Sequence, residues 1–220
     1  MKSIVLLSGG LDSSVSLMCA REEGEVVLAL TFDYSQRAAE REIAAAKAIC
    51  ERLGVPHQVV ALPWLGEITS TALVNRSAKL PKPGTEELEG EQAKAAAQAV
   101  WVPNRNGLFI AIAAAFAEAM GADQIVTGFN AEEAAAFPDN SAAFVEATNA
   151  ALALSTLRKV RVVSYTQELN KTEIVRLGQR LGAPLDLVWS CYTAGPHPCG
   201  ACDPCLRFQR AMVAARQDKR

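Results

Sequence analysis

Two groups of residues in this chain have the types and spacing to do chemistry. The first is "SGGLDSS", residues 8–14, which follows the apolar run "IVLL". Gly9 and Gly10 leave no side chain between the backbone and whatever lies above it. Ser8, Ser13 and Ser14 supply hydroxyls around them, and Asp12 supplies a carboxylate. A helix starting near Asp12 or Ser13 would aim its unpaired N–H groups and positive dipole end at the same point. Such a loop is an anion cradle, and the anion it suits is a phosphate group of a nucleotide. The alternative is a tight turn with Asp12 or Ser13 as an N-cap. No G-x-x-x-x-G-K pattern is present, which excludes a kinase-type phosphate loop.

The second group is "CYTAGPHPCGACDPC", which places cysteines at 191, 199, 202 and 205. The spacing C-x7-C-x2-C-x2-C suits a closed tetrahedral Zn²⁺ site of four thiolates. A ferredoxin-type cluster would want a further Cys-Pro after three intervening residues, where Gln209 stands. A closed shell makes the metal a shaper of its lobe rather than a reagent. His197 then reads as a loop residue and His57, ahead of a strand, as structural. Cys19 and Cys50 lie alone in helical patterns.

Elements to position these groups alternate along the chain. "SIVLL", "EVVLALTFD", "PHQVVAL", "DQIVTGF" and "VRVVSY" read as buried strands. Helical patterns separate them, two of the clearest ending at Gly54 and Gly182. Continuous apolar strands alternating with helices predict a doubly wound, mainly parallel five-stranded sheet with helices on both faces. Ligands of such sheets bind at the carboxyl ends of the strands. That rule gathers "SGGLDS", "FDYSQR", "TGFNAEE" and "SYTQELNK" on one rim. Residues 76–100, rich in Pro, Gly, Lys and Glu, read as a solvated loop or a mobile flap over that rim. The expected division is a nucleotide-binding α/β domain over 1–185 and a zinc-binding lobe with a helix over 186–220.

Bulk properties narrow the classes. The chain has 220 residues, is 50% hydrophobic and carries a net charge of −2. No apolar run reaches membrane-spanning length, and the N-terminal run is too short for a signal peptide, so a cytoplasmic protein is expected. A pI near 5.8 argues against a nucleic-acid partner.

"SGGLDS" resembles the pyrophosphatase-type loop of the adenine-nucleotide alpha hydrolases, which adenylate a carboxylate or carbonyl oxygen and release pyrophosphate. "FDYSQR", "VPNRN", "TGFNAEE", "FPDN", "NKTEIVRLG" and "WSCY…CGACDPC" then occur in the order seen in the QueC family, the 7-cyano-7-deazaguanine synthases of queuosine biosynthesis. The similarity covers nearly the whole chain. Family members often show "YGQRH", "VPGRN" and "SGYPDCR" where this chain has "YSQRA", "VPNRN" and "AAFPDNS". Asn104 can replace glycine in a left-handed turn at modest cost.

The resemblance implies an ATP-dependent enzyme converting 7-carboxy-7-deazaguanine and ammonium to a nitrile, with Zn²⁺ and Mg²⁺ as metals, and a homodimer. It places the nucleotide on Leu7, Ser8, Gly9, Gly10, Leu11, Asp12, Ser13, Ser14, Val15, Ser16 and Leu17. Ser8, Gly9, Gly10, Asp12, Ser13 and Ser14 would hold phosphates. Leu7, Leu11, Val15 and Leu17 either wall the adenosine or pack the core. Asp12, Ser13, Arg105 and Lys171 are the expected catalytic residues. Asp12 would hold Mg²⁺, orient the loop or cap the helix. Lys171 would neutralise pyrophosphate or sit solvated in a first turn. Arg105 would grip a phosphate or the substrate carboxylate; Arg37 would do likewise or face solvent. One of Glu132, Glu133 and Asp139 would accept from the base's N–H groups, or all three are surface acids. The rival readings are a tRNA-thiolating or other adenylating enzyme of the same loop class, and a non-catalytic zinc module with "LRFQRAMVAARQDKR" as a basic arm.

Overall fold

Five strands form one sheet: β1 (Lys2–Leu6), β2 (Glu25–Asp33), β3 (His57–Ala61), β4 (Gln124–Thr127) and β5 (Arg161–Ser164). Their order is β3-β2-β1-β4-β5, and every pairing is parallel. The computed structural model describes residues 1–217; 218–220, the end of the basic stretch, lie outside the described residues.

Side chains alternate across the sheet with the strand period of two. Ile4, Leu28, Leu30, Ile125 and Val162 enter one core, whereas Val5, Ala29 and Val126 enter the other. Each strand therefore needs apolar residues at successive positions, which is why the strands read as unbroken runs. Helices α5 (Arg105–Met120) and α7 (Ala142–Ser155) cover the first face, through Ile110, Ala113, Ala117 and Leu152. Helices α1 (Leu11–Glu23) and α2 (Ala39–Leu53) cover the second, through Leu17, Ala20, Ala46 and Ile49. Two further helices, α8 (Lys171–Arg180) and α9 (Asp203–Gln217), join α1 in a third cluster of Leu11, Val15, Ile174, Val175, Ala211 and Ala215. The helix of the cysteine lobe thus shares a core with the α/β body.

Local chemistry accounts for the boundaries. Asn170 caps α8 by accepting from the Glu173 N–H, and Glu173 returns the bond to the Asn170 N–H; this reciprocal arrangement is a capping box. Gly54 and Gly121 end α2 and α5 in the left-handed region, at φ 67° and 68°. Asn104, ahead of α5, takes φ 50°, the conformation in which Asn best substitutes for Gly.

The segment 76–100 is not a plain solvated loop. After a 3₁₀ turn at Thr85–Glu87 it forms helix α4 (Gly90–Val100), which buries Ala97 and Val100, with Leu88 buried just before it. Its alanine-rich half is a strong helix former hidden behind a polar, proline-containing first half. Two short helices complete the fold, α3 (Pro63–Glu67) and α6 (Ala131–Ala134).

The strand order reverses between β1 and β4. Loops leaving the carboxyl ends of these two neighbours diverge and open a crevice, the place where open α/β sheets bind ligands.

Candidate active site

The crevice is an open cavity. Its floor is the loop after β1. Gly10, extended and without a side-chain cap, occupies the N-cap position of α1, and Asp12 lies inside the first turn. Asp12 is therefore not the cap, and neither is Ser13. Ser14 Oγ donates to the Gly10 carbonyl at 2.6 Å, and the Ser8 and Ser13 hydroxyls lie 3.1 Å apart.

The two glycines serve different ends. Gly9 has φ 76°, and a Cβ there would stand 2.7 Å from the Glu42 carbonyl oxygen and 2.9 Å from Ala45 Cβ. It lets α2 press against the loop, so packing, rather than ligand approach, explains it. Gly10 lines the cavity, where the nearest atom to an added Cβ is Ser8 Oγ at 3.3 Å. A third glycine, Gly128 after β4, went unremarked in the sequence. A Cβ on it would meet the Ser13 nitrogen at 2.7 Å. Its absence lets the β4 loop abut the start of α1.

Lys171 dominates the electrostatics. It opens α8, is 6% exposed, and its Nζ donates to Asp12 Oδ2 and Glu133 Oε1, both at 2.6 Å. A solvated first-turn lysine is excluded. Burial opposes its charge, but the two carboxylates more than compensate and hold it cationic. Two acids share this one cation. Burial pushes Asp12 up to about 6, with Lys171 offsetting part of the effect. Burial also opposes ionisation of Glu133, yet Lys171 holds it below the usual carboxylate range. Asp12 Oδ1 is buried without a hydrogen-bond partner. An orphaned carboxylate oxygen and surplus negative charge beside a phosphate cradle fit a hard divalent cation such as Mg²⁺.

Arg105 lines the same cavity. Its guanidinium donates to Tyr34 Oη at 3.0 Å and lies 5.8 Å from that ring's centre. Phe32 and Phe109 stack 4.0 Å apart on the adjoining wall. Of the stretch Leu7–Leu17, the cavity touches Leu7, Ser8, Gly10, Leu11, Asp12 and Ser13. Val15 and Leu17 face core clusters, and the Ser16 hydroxyl lies 3.3 Å from that of Thr166, in the interior. These positions are buried away from the cavity lining, as the core-packing alternative expects.

The remaining acids and Arg37 divide by position. Glu133 faces the cavity, whereas Glu132 accepts from the Lys171 backbone N–H, Arg207 and Arg210. Asp139 pairs with the Asn140 side chain. Arg37 spends its guanidinium on the carbonyls of Asn75 and Ala78. His57 donates toward Thr31 Oγ1 at 2.8 Å, and Thr31 in turn donates to the Leu7 carbonyl at 2.6 Å. That chain braces the end of β1, a structural role.

Sequence reasoning missed Glu42, Trp189 and Ser190 as cavity residues; Tyr34, in the rim loop "FDYSQR", and Asn140, in "AAFPDNS", also line the cavity without having been singled out. Glu42 sits in the amphipathic pattern of α2, where period alone says only that one face is polar. Trp189 donates its backbone N–H to the Gly9 carbonyl at 2.8 Å, and Ser190 Oγ accepts from the Leu11 N–H at 3.4 Å. The segment entering the cysteine lobe thus completes the glycine loop.

The sulfurs of Cys191, Cys199, Cys202 and Cys205 all lie within 4.8 Å of one another. A tetrahedron with Zn–S about 2.3 Å has edges of about 3.8 Å, and the Cys191–Cys202 separation is 4.0 Å. The backbone N–H groups of Cys199 and Thr193 donate to Cys191 Sγ, as suits a thiolate. The donor set fits a zinc ion. His197 is exposed on the intervening loop.

A parallel five-stranded sheet with a glycine loop at its switch point defines an adenine-nucleotide alpha hydrolase-like fold. Among solved structures, a 4-thiouridine synthetase in complex with RNA and bound ATP shares that fold with a TM-score of 0.52, at 19% identity over 98% of this chain and 52% of that one. The family model described as queuosine biosynthesis protein QueC matches residues 2–216. A 7-cyano-7-deazaguanine synthase of Pelotomaculum thermopropionicum is 61% identical over 98% of both chains. One from Desulforamulus reducens is 56% identical over 96% of this chain and 93% of its own. The chain belongs to the QueC family.

Proposed function

We propose that this protein is a C–N ligase that converts 7-carboxy-7-deazaguanine and ammonium to 7-cyano-7-deazaguanine at the expense of ATP, for queuosine precursor biosynthesis. The observation that carries the chemistry is Lys171, buried against Asp12 above the glycine loop, in a chain whose full-length relatives bear that enzyme's name. A carboxylate does not accept ammonia, because its oxygen is a poor leaving group. Transfer of an adenylyl group from ATP turns the carboxylate into a mixed acyl–phosphate anhydride, pyrophosphate departs, and ammonia displaces AMP and loses a proton to leave the amide. A second adenylation of the amide oxygen allows loss of AMP and a proton to form the nitrile.

The chain's contribution is placement and charge. Gly10, the first-turn N–H groups of α1 and the Ser8 and Ser13 hydroxyls cradle the phosphates. Lys171 neutralises charge developing on the departing pyrophosphate. Arg105 holds the acid or a phosphate oxygen, and Phe32 with Phe109 walls an aromatic ring. Asp12 would hold Mg²⁺, whose chemistry is to offset triphosphate charge; Cys191, Cys199, Cys202 and Cys205 would hold Zn²⁺, which shapes the lobe.

The test is direct. Mixing the protein with ATP, Mg²⁺, ammonium and the 7-carboxy base should release pyrophosphate and yield the nitrile, read by mass spectrometry. Pyrophosphate release that does not depend on the base would overturn the substrate assignment.

We also propose a homodimer. Helices α5 and α7 are apolar nearly all round, yet they leave Ala111, Ala115, Ala147, Ala151 and Leu154 exposed on the outside. Leu154 and Leu157 are 92% and 97% exposed, and an apolar patch of this kind suits a second copy. Light scattering should give twice the chain mass for the parent and the single-chain mass for Leu154→Glu. A single-chain parent removes the proposal. No helix among the described residues is long and apolar enough to cross a membrane.

A further inference from the structure

Arg207 is a buried charge that the proposed reaction does not use. It lies on α9 two residues beyond Cys205 and is 7% exposed. Its three nitrogens go to three separate stretches of chain. Nε donates to both oxygens of Asp203, at 2.9 and 3.1 Å. Nη1 donates to Glu132 Oε2 at 2.5 Å, and Nη2 donates to the carbonyl of Leu88, ahead of α4. The other Glu132 oxygen accepts from the Lys171 N–H at 2.8 Å. A continuous hydrogen-bonded path therefore runs from the cysteine lobe to the backbone of Lys171, with a branch that pins the segment carrying α4.

We propose that Arg207 is a positioning residue: its fork latches the segment 85–100 and, through Glu132, sets the backbone of Lys171 against the phosphate site. Its effect on ATP rests on the reading of Lys171 as a phosphate ligand; the pinning of 85–100 does not. Three physical points support the latch. Lysine could not reproduce it, because an ammonium is a point charge and the guanidinium spans three directions at once. The Leu88 carbonyl it holds is buried and Glu132 is largely covered, so losing the fork leaves a buried acceptor unmade. Charge alone is not the device, since Arg210 also donates to Glu132, at 2.7 Å, from a side chain 42% exposed.

The experiment uses the metal-replete protein and the variants Arg207→Lys, Arg210→Lys and Glu132→Gln. Arg207→Lys should raise the KM for ATP about tenfold while kcat falls less than about threefold, the pattern of lost uniform binding. Hydrogen exchange across 85–100 should accelerate by about tenfold or more, with zinc content unchanged. Arg210→Lys should leave both readings near parental. Glu132→Gln should raise the KM without accelerating 85–100, because the Leu88 bond survives. The double variant Arg207→Lys/Glu132→Gln should have a KM close to that of Arg207→Lys alone, since one path is cut twice. Parental exchange across 85–100 in Arg207→Lys overturns the latch, whatever the activity. Accelerated exchange with a parental KM would keep the pinning but overturn the route to Lys171. Loss of ATP turnover in the parent would instead sink the functional reading, while the exchange data still decided the latch. Should Arg207→Lys fail to fold, Glu132→Gln alone decides the route, and a parental KM there overturns it.

Discussion

Replacing Lys171 by methionine should abolish ATP-dependent pyrophosphate release, by at least about 10²–10³-fold, the loss typical when one charge stabiliser is removed from a dry site. Zinc content should not change. The size follows from the position of Nζ, 2.6 Å from both Asp12 and Glu133 and in contact with the cavity. No other lysine among the described residues lines that cavity, and methionine keeps the length without the charge. A second consequence separates this variant from a simple loss of packing. The substitution leaves two partly buried carboxylates, which share contact with Nζ in the parent, close together with no cation. Their pKa values in the folded variant must rise above those in the unfolded chain. Protonation then relieves the repulsion, so the variant's stability is highest at acidic pH and is lost as pH rises through the raised values. Thermal midpoints measured across that range should fall with rising pH more steeply than the parent's. A variant with near-parental turnover would remove Lys171 from the chemistry and leave it as an internal ion pair.

Cys202→Ser should have the second large effect. Cys202 is 1% exposed within the sulfur cluster, and a serine oxygen is a poor replacement for a thiolate on zinc. Metal binding supplies about 10–16 kcal/mol in zinc-finger peptides, far more than a lobe this small could gain from its own core. The parent should carry about one zinc per chain, as one closed tetrahedral set requires, and the variant should carry little. The damage should then reach the nucleotide. Trp189 and Ser190, bonded to Gly9 and Leu11, immediately precede Cys191, so the phosphate loop loses two partners when the lobe frays. Calorimetry should show weakened ATP binding together with a lowered thermal midpoint. An apo variant that binds ATP as the parent does would show the loop to be self-supporting. Iron with charge-transfer absorption in the parent would overturn zinc.

Much of this site was legible where its signals are local. The cysteine spacing sits in one short stretch, and the glycine loop follows a strand whose apolar run marks it as doubly covered. Lys171 was named from its place at a helix start after the fifth strand, though nothing local showed that it would be buried. Boundaries shifted slightly: α1 begins at Leu11, one residue before the earliest expected start, which moves Asp12 from the cap into the first turn and frees its carboxylate for the cavity. What stayed hidden depends on through-space partners. Glu42 and Gly128 acquire meaning only when α2 and β4 are folded against the loop after β1. The packing of α2 against Gly9 stayed hidden for the same reason, since glycine looks alike whether it clears room for a phosphate or for a neighbouring helix. Adjacency in the chain likewise does not show that Val15, Ser16 and Leu17 are buried away from the cavity lining.

The bond from the Trp189 N–H to the Gly9 carbonyl also has a meaning in time. Its neighbour, between Leu11 and Ser190, joins residues 179 positions apart. The wall that finishes the glycine loop is therefore translated long after the loop itself. Until it emerges the nascent chain carries an unfinished cradle, open where that segment will lie. A chain cut short before Trp189 would present its most recognisable motif without the partner that completes it.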